Sequence, residues 1–331
     1  MNPVLAELHD KARAVLDEVH YDFFAGGVGD EVVLAENEAA FRRRALLPRV
    51  LRGGEIRTDL PVVVSPTAFH KLAHPDGELA TARGAGDTVV VSSMASTVPI
   101  ADVVAASRGP VWFQLYVQPD MAVTEALVRR AERAGCAALV VTADSPVFGR
   151  HRRDIEHGFH DLPAGLAAEN MRDLAGRGLL DIAMSAEVSW EHLGRLRGMT
   201  SLPVWVKGIL HPADAVIAVE QGVAGIFVSN HGGRQLDLVP AALDALPAVV
   251  DAVAGRVPVV LDGGVRSGGD IALALALGAS AAGIGRPVLW GLAADGEAGV
   301  RRVLDVLHDE FRHVLTMCGG ELTRDMVVAR C

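Results

Sequence analysis

Cysteine is scarce in this chain. Cys136, Cys318 and Cys331 are the only three in 331 residues, and no two have a paired spacing. An odd, sparse set of this kind excludes a disulfide framework and a cysteine-based metal site, and it suits a reducing compartment. Positive charge is also short: 31 Lys and Arg face 41 Asp and Glu, for a formal net charge of −10. That balance argues against nucleic acid or an anionic membrane surface as a partner. No apolar run is long enough to span a membrane. The first turns carry Glu7, Asp10, Lys11 and Arg13 where a signal peptide would be apolar, so a cytoplasmic location is expected.

Hydrophobic residues, by contrast, make up half the chain, enough for a large core. Val4, Leu5, Leu8, Ala12, Val15, Leu16 and Val19 recur at three- and four-residue steps and predict one amphipathic helix over residues 4–20. Tyr21-Asp22-Phe23-Phe24-Ala25-Gly26-Gly27 should end it, and a second helix follows over residues 31–43. Residues 1–60 therefore read as a helical cap on what comes next.

From residue 61 a rhythm begins. Short runs rich in β-branched residues recur at 61–67 (PVVVSPT), 88–93 (TVVVSS), 111–117 (VWFQLYV) and 138–144 (ALVVTAD). They continue at 203–208 (PVWVKG), 225–231 (GIFVSNH), 258–264 (PVVLDGG) and 281–286 (AAGIGR). Continuous rather than alternating apolar runs suit parallel strands buried on both faces. Helical signals lie between them, including Asp120 before 121–134, Pro212 at a first helical position, and Gly222 and Gly278 as stops. Eight β–α units predict an α/β fold, a (β/α)8 TIM barrel with N-terminal capping helices, in one domain over residues 1–331. A doubly wound open sheet is the alternative, and it leaves the count of eight unexplained. Residues 157–189 show no strand and little periodicity, and read as a lid or insertion, or else as a surface excursion.

A TIM barrel places its chemistry where the strands end, in the βα loops. The polar residues that interrupt the apolar runs fall there: Ser65-Pro66-Thr67-Ala68, Ser92-Ser93, Gln114 and Tyr116, Thr142 and Asp144, and Lys207. The later runs add His231 with Arg234, Asp262-Gly263-Gly264-Val265-Arg266, and Gly285-Arg286. A base and a permanent cation three residues apart, as in Ser229-Asn230-His231-Gly232-Gly233-Arg234-Gln235-Leu236-Asp237, suit an anionic substrate that loses a proton. A polar surface loop is the plainer alternative. Glycines and arginines after the seventh and eighth strands suit a bound phosphate. The aromatic residues Trp112, Phe113, Trp190, Trp205 and Phe227 read as core, and Arg42-Arg43-Arg44 as a solvated face or a subunit contact.

With YDFFAGG from Tyr21, LAEN from Leu34, SPTAF from Ser65, HPDGE from His74, SNHGGRQLD, DGGVRSGGD and GRP, the chain resembles the FMN-dependent α-hydroxy-acid oxidising family over nearly its whole length. That family includes glycolate and lactate oxidases, mandelate dehydrogenase and hydroxymandelate oxidase. The resemblance implies that Ser65, Pro66, Thr67, Ala68 and Ser92 line FMN, that Gln114 and Thr142 bond its ring, and that Lys207 sits by its N1/O2 edge. Asp262, Gly263, Gly264, Arg266, Gly285 and Arg286 would hold its phosphate end. His231 would take the substrate proton, Asp144 would orient that imidazole, Tyr116 would contact the hydroxyl, and Arg234 would bind the carboxylate. It further implies a homotetramer, a 2-hydroxy acid and O2 as reactants, and no metal.

Three positions depart from the family pattern. Phe23 stands where many members have tyrosine, a feature of the hydroxymandelate branch. His151 stands where a second carboxylate-binding arginine is expected, with Arg150 or Arg152 as substitutes if the alignment shifts by one. Met94 replaces a tryptophan of glycolate oxidases and would enlarge the substrate pocket. A bulky, aromatic 2-hydroxy acid of the mandelate or 4-hydroxymandelate type is therefore expected. The rivals are a carrier-linked dehydrogenase, an isomerase of a phosphorylated substrate, and a flavin-binding barrel with altered or lost catalysis.

Overall fold

Strands of only three to six residues, each running apolar almost throughout, pair side by side in parallel and close on themselves. The computed structural model describes residues 2–51, 56, 59–174 and 182–330. Three helices come first: α1 (Pro3–Val15), α2 (Glu18–Ala25) and α3 (Val32–Arg42), followed by the short strand β1 (Arg44–Leu46). The barrel strands are β2 (Val62–Val64), β3 (Val89–Ser93), β4 (Val111–Leu115), β5 (Ala138–Thr142), β6 (Val204–Ile209), β7 (Gly225–Ser229), β8 (Val259–Asp262) and β9 (Ala281–Ile284). Between and after them run α4 (Gly77–Ala85), α5 (Ile100–Ala106), α6 (Met121–Ala134), α7 (Arg152–Glu156), α8 (Trp190–Gly198), α9 (Pro212–Glu220), α10 (Ala242–Val253), α11 (Gly268–Ala276) and α12 (Arg286–Met317). A last strand, β10 (Val327–Ala329), pairs antiparallel with β1. The eight predicted runs are the eight strands of the closed barrel, in chain order, with β9 pairing back onto β2.

Each strand alternates between the barrel interior and the surrounding helices. Val63, Val91, Ala138, Val140, Trp205, Phe227 and Val260 pack together inside, with Val89, Trp112 and Ala281 against them. Phe113 belongs to the outer core between strands and helices, and Trp190 packs against its edge. The aromatics expected as core are core. One pleat further toward the strands' C-terminal ends, the inward positions become Ser65, Ser93, Gln114, Thr142, Lys207, Ser229, Asp262 and Gly283. A dry, filled barrel thus ends in a ring that is polar except for one glycine, one residue from each strand.

The N-terminal helices differ from expectation. The helix predicted over residues 4–20 is two, because the chain turns at Leu16 and Asp17 caps a new helix by accepting from the His20 N–H. Tyr21 to Phe24, predicted to terminate a helix, lie inside α2. The α3 helix is placed as predicted, but its N-terminus is capped from afar: Asp237 Oδ1 accepts from Val33 N at 2.9 Å. The LAEN asparagine, Asn37, makes a reciprocal amide pair with Asn230, both bonds 2.8 Å, which ties α3 to the loop after β7. Arg43 and Arg44 of the arginine run pair with Asp244, and Arg42 with Glu38.

Part of the predicted insertion at 157–189 is packed onto the barrel. Asn170 is fully buried and accepts from Ile100 N, Ala168 and Met171 are buried beside it, and Phe159 stacks edge-on against Phe23. Residues 175–181 lie outside the described residues.

Candidate active site

The polar ring forms two hydrogen-bonded arcs. On one side Lys207 Nζ lies 2.8 Å from both Ser229 Oγ and Asp262 Oδ2, and Ser229 Oγ donates to that same Asp262 oxygen at 2.9 Å. Ser65 Oγ donates to the other oxygen of Asp262 at 2.9 Å. On the other side Ser93 Oγ donates to Gln114 Oε1, and Gln114 Nε2 to Thr142 Oγ1 at 3.0 Å. Burial pushes the Asp262 carboxyl up, but the Lys207 charge and the hydrogen bonds it accepts hold it below its ordinary value.

Above the ring opens a cavity. Every predicted cofactor-binding residue but Ser92 lines it: Ser65, Pro66, Thr67, Ala68, Gln114, Thr142, Lys207, Asp262, Gly263, Gly264, Arg266, Gly285 and Arg286. Ser93 lines it instead of Ser92. The pleat explains the correction, since Val91 points inward and Ser93 shares its parity, while Ser92 is buried on the other side with its Oγ unpartnered among the described residues. Met94 is a second correction. It is fully buried outside the cavity, its Sδ accepting from Tyr116 N at 3.1 Å, and Ala95 takes the lining position.

Over the cavity stands the predicted catalytic group. His231 Nδ1 is 2.9 Å from Asp144 Oδ1, and His231 Nε2 is 3.5 Å from the Tyr116 hydroxyl, with the two rings nearly parallel. His231 has φ of 60°, an uncommon conformation for a non-glycine residue, held by its N–H donating to Ser229 Oγ at 3.0 Å. Burial pushes the Asp144 carboxyl up, but the imidazole opposite and the more distant Lys207 hold it below its ordinary value. Burial, then Asp144, raise the Tyr116 phenol, which stays protonated across the working pH range.

Two half-buried arginines complete the site. Arg234 donates to Phe23 O at 2.8 Å and Gly26 O at 2.9 Å and lies over the Phe23 ring. Arg286 donates to Phe24 O, Gly26 O and Gly232 O. Among the described residues neither forms an ion pair with a carboxylate; both rest on carbonyls at the C-terminal end of α2, where cations are favoured. Burial, then the charges of Arg234 and Arg266, lower the Arg286 guanidinium to about 9, and burial lowers Arg234 as well. The site is short of negative charge.

The lining fits FMN. The polar arcs offer donors and acceptors to a flat heterocycle, and the cations suit a phosphate and a carboxylate. Gly283, the ring's one position without a side chain, leaves room that a Cβ would close, at 2.5 Å from Ser65 Oγ. Gly263 and Gly264, both with positive φ, bring main chain to the cavity wall beside Arg266.

Sequence reasoning gave no role to Ser229, Ser145 or Glu78. Strand parity from Phe227 would have found Ser229. Ser145 bonds Gln235 and lies 3.2 Å from Asp144. Glu78, the last residue of HPDGE, accepts from His70 N, Thr97 N and Thr97 Oγ1, and so braces the loop that carries Thr67 and Ala68. Its signal was the motif itself, whose reason lies in these contacts.

The two depressed carboxyls make acid the expected weakness of the fold. Groups whose pKa is lowered by folding stabilise it above their unfolded value, near 4, and lose that contribution as pH falls through the folded one. The urea midpoint of the protein should start to fall below about pH 6.5, where the buried His70, its pKa lowered by burial, protonates first in the unfolded chain, and should fall more steeply below about pH 5. In Asp144→Asn the acid decline should be shallower; an unchanged slope would remove Asp144 from the account.

A polar-rimmed TIM barrel with two half-buried arginines and a histidine–aspartate pair at its C-terminal face defines a flavin-dependent oxidoreductase. Residues 12–328 match the model of the family described as FMN-dependent dehydrogenase. The chain belongs to that family, and its cofactor is FMN. It is 44% identical over 338 residues to Arabidopsis thaliana glycolate oxidase 3, covering 95% of this chain and 92% of that protein. It is 41% identical over 345 residues to Bos taurus 2-hydroxyacid oxidase 2, covering 98% and 97%. Mandelate oxidase with (S)-2-phenylpropionate superposes with a TM-score of 0.88 at 43% identity, covering 95% of this chain and 94% of that one. A single-site variant of mandelate oxidase with 2-hydroxy-phenylacetamide gives 0.90 at 42%, covering 98% of each chain.

Proposed function

We propose that the enzyme oxidises a 2-hydroxy acid with a bulky apolar substituent, of the mandelate type, to the 2-keto acid, O2 being reduced to H2O2. Relatives named glycolate oxidase and 2-hydroxyacid oxidase support the reaction, and the observation that carries the substituent is the apolar part of the cavity wall. Phe23, Phe69, Ala95, Phe148 and Ile182 line the cavity, and Phe23 packs against Phe24, Phe69 and Phe159. Such a wall gives a phenyl group contact and gives glycolate none.

The residues divide the work. Arg234, whose guanidinium can hold a carboxylate through two parallel hydrogen bonds, orients the acid. Tyr116 meets the hydroxyl as a donor. Asp144, ionised, keeps the proton of His231 on Nδ1, so that the Nε2 lone pair faces the substrate and takes its proton. Lys207 brings a fixed positive charge to the ring where negative charge would grow. Bound FMN supplies the two-electron acceptor for the alcohol carbon.

Anaerobic mixing of the flavoprotein with (S)-mandelate, 4-hydroxymandelate, lactate and glycolate is the direct test. The aromatic acids should bleach the flavin with kcat/KM at least tenfold above glycolate; the opposite order would sink the substituent. In air, each turnover should consume one O2 and yield one H2O2, and a requirement for an added carrier would sink the acceptor. Phe148, 42% exposed, can be shortened without harm to the core. Phe148→Ala should lower kcat/KM for mandelate about tenfold and leave glycolate unchanged.

A further inference from the structure

The run Arg150-His151-Arg152-Arg153 lies beside the cavity, yet only one of its side chains enters the lining. Arg152 pairs with Asp30, Arg153 with Asp22 and Glu31, and Arg150 is exposed. The residue that enters is His151, and its ring is fully engaged. Nε2 lies 2.9 Å from the main-chain oxygen of Arg234, and Nδ1 lies 3.1 Å from Asp154 Oδ2. A carbonyl and a carboxylate only accept, so an imidazole between them satisfies both only when both nitrogens carry protons. The contact is close on the chain side too. A Cβ on Gly149 would lie 2.0 Å from that same Arg234 oxygen, so the segment presses directly on it. Arg234 is thus gripped at its main chain by His151 and at its guanidinium by Phe23 O and Gly26 O.

We propose that His151 is a positioning residue: as an imidazolium it links Asp154 to the main chain of Arg234 and so holds the Arg234 guanidinium where the substrate carboxylate binds. With neither N–H left for the substrate, it does not replace a second carboxylate-binding arginine in kind. The proposal rests on the reading of the substrate as a 2-hydroxy acid. The charged groups facing the bridge are Asp154 from α7, which also interacts with His157 and Arg234, and Arg234 and His231 from the loop after β7. Arg150 and Arg152 flank the ring along the chain, and Glu31 reaches Arg234 from the start of α3. Opening the bridge should weaken capture of the acid while leaving His231 and Asp144 in place.

The test pairs nitrogen NMR of the histidine-labelled holoenzyme with steady-state kinetics using (S)-mandelate. The signal absent from His151→Gln identifies His151, and it should show both ring nitrogens protonated. His151→Gln should raise KM about tenfold, the scale of one lost charge-assisted hydrogen bond, with a much smaller fall in kcat. His151→Arg, which can donate to both oxygens, should recover KM. A ring with one protonated nitrogen overturns the proposal, as does a His151→Gln enzyme with unchanged KM. An enzyme that oxidises no 2-hydroxy acid overturns the functional reading instead, and the nitrogen spectrum still decides the bridge.

Discussion

Replacing His231 by glutamine should lower kcat/KM for the 2-hydroxy acid by about 10²–10⁴-fold, the usual worth of a positioned general base. The flavin should stay bound with an unchanged spectrum, because the ring residues Lys207, Asp262, Gln114 and Thr142 bond one another and not the imidazole. Glutamine fills the space and donates or accepts, but its amide takes no proton. Asp144→Asn should also cost activity, since an amide opposite Nδ1 no longer enforces the tautomer that leaves Nε2 free. A His231→Gln enzyme within tenfold of the wild type would place the proton acceptor elsewhere.

The second large effect belongs to Lys207. Its ammonium and the Asp262 carboxylate are both nearly inaccessible, at 4% and 10% side-chain exposure. Removing one member leaves the other charged and dry, which costs about 3–5 kcal/mol. Lys207→Met should therefore lower the unfolding free energy of the apoprotein, read from urea titrations, by that amount and abolish stable flavin binding. The double variant Lys207→Met, Asp262→Leu separates the two consequences. Stability should largely return, because a hydrophobic pair of similar volume is often as good as a buried ion pair, and flavin binding should not. A single variant that loses less than about 1 kcal/mol would mean that water reaches the pair.

The barrel was legible in the sequence because a strand buried on both faces must be apolar throughout, and eight such runs have few other uses. The strand ends were legible for the complementary reason that polar residues there need something to bond. Where the reading slipped, positions had been carried over from the resemblance without a check against the pleat. At Ser92-Ser93 two identical residues leave only strand parity to choose between them, and parity puts Ser93 inside. Met94 was read from a tryptophan at the same place in glycolate oxidases, but a residue just beyond a strand's end can turn back into the core. The break between α1 and α2 was masked by Val19, which continues the apolar spacing of Leu5, Leu8 and Ala12 across Asp17. The β1–β10 ribbon is three residues wide on each side and carries no pattern. His151 could be located but not understood, because one of its two partners is a main-chain carbonyl 83 residues away.

The seam between β2 and β9 sets the order of events on the ribosome. Val62 to Val64 pair with Ala282 to Ile284, and Ser65 meets Asp262 only across that seam. A nascent chain that has emerged as far as β8 carries two open sheet edges, with the Ser65–Asp262 hydrogen bond that joins the ends of the ring still unmade. Helix-by-helix growth can proceed meanwhile, but the last strand is the one that turns a curved sheet into a container. The pocket for the cofactor therefore comes into being late in synthesis and all at once, and the short-lived open sheet is the stage most exposed to aggregation.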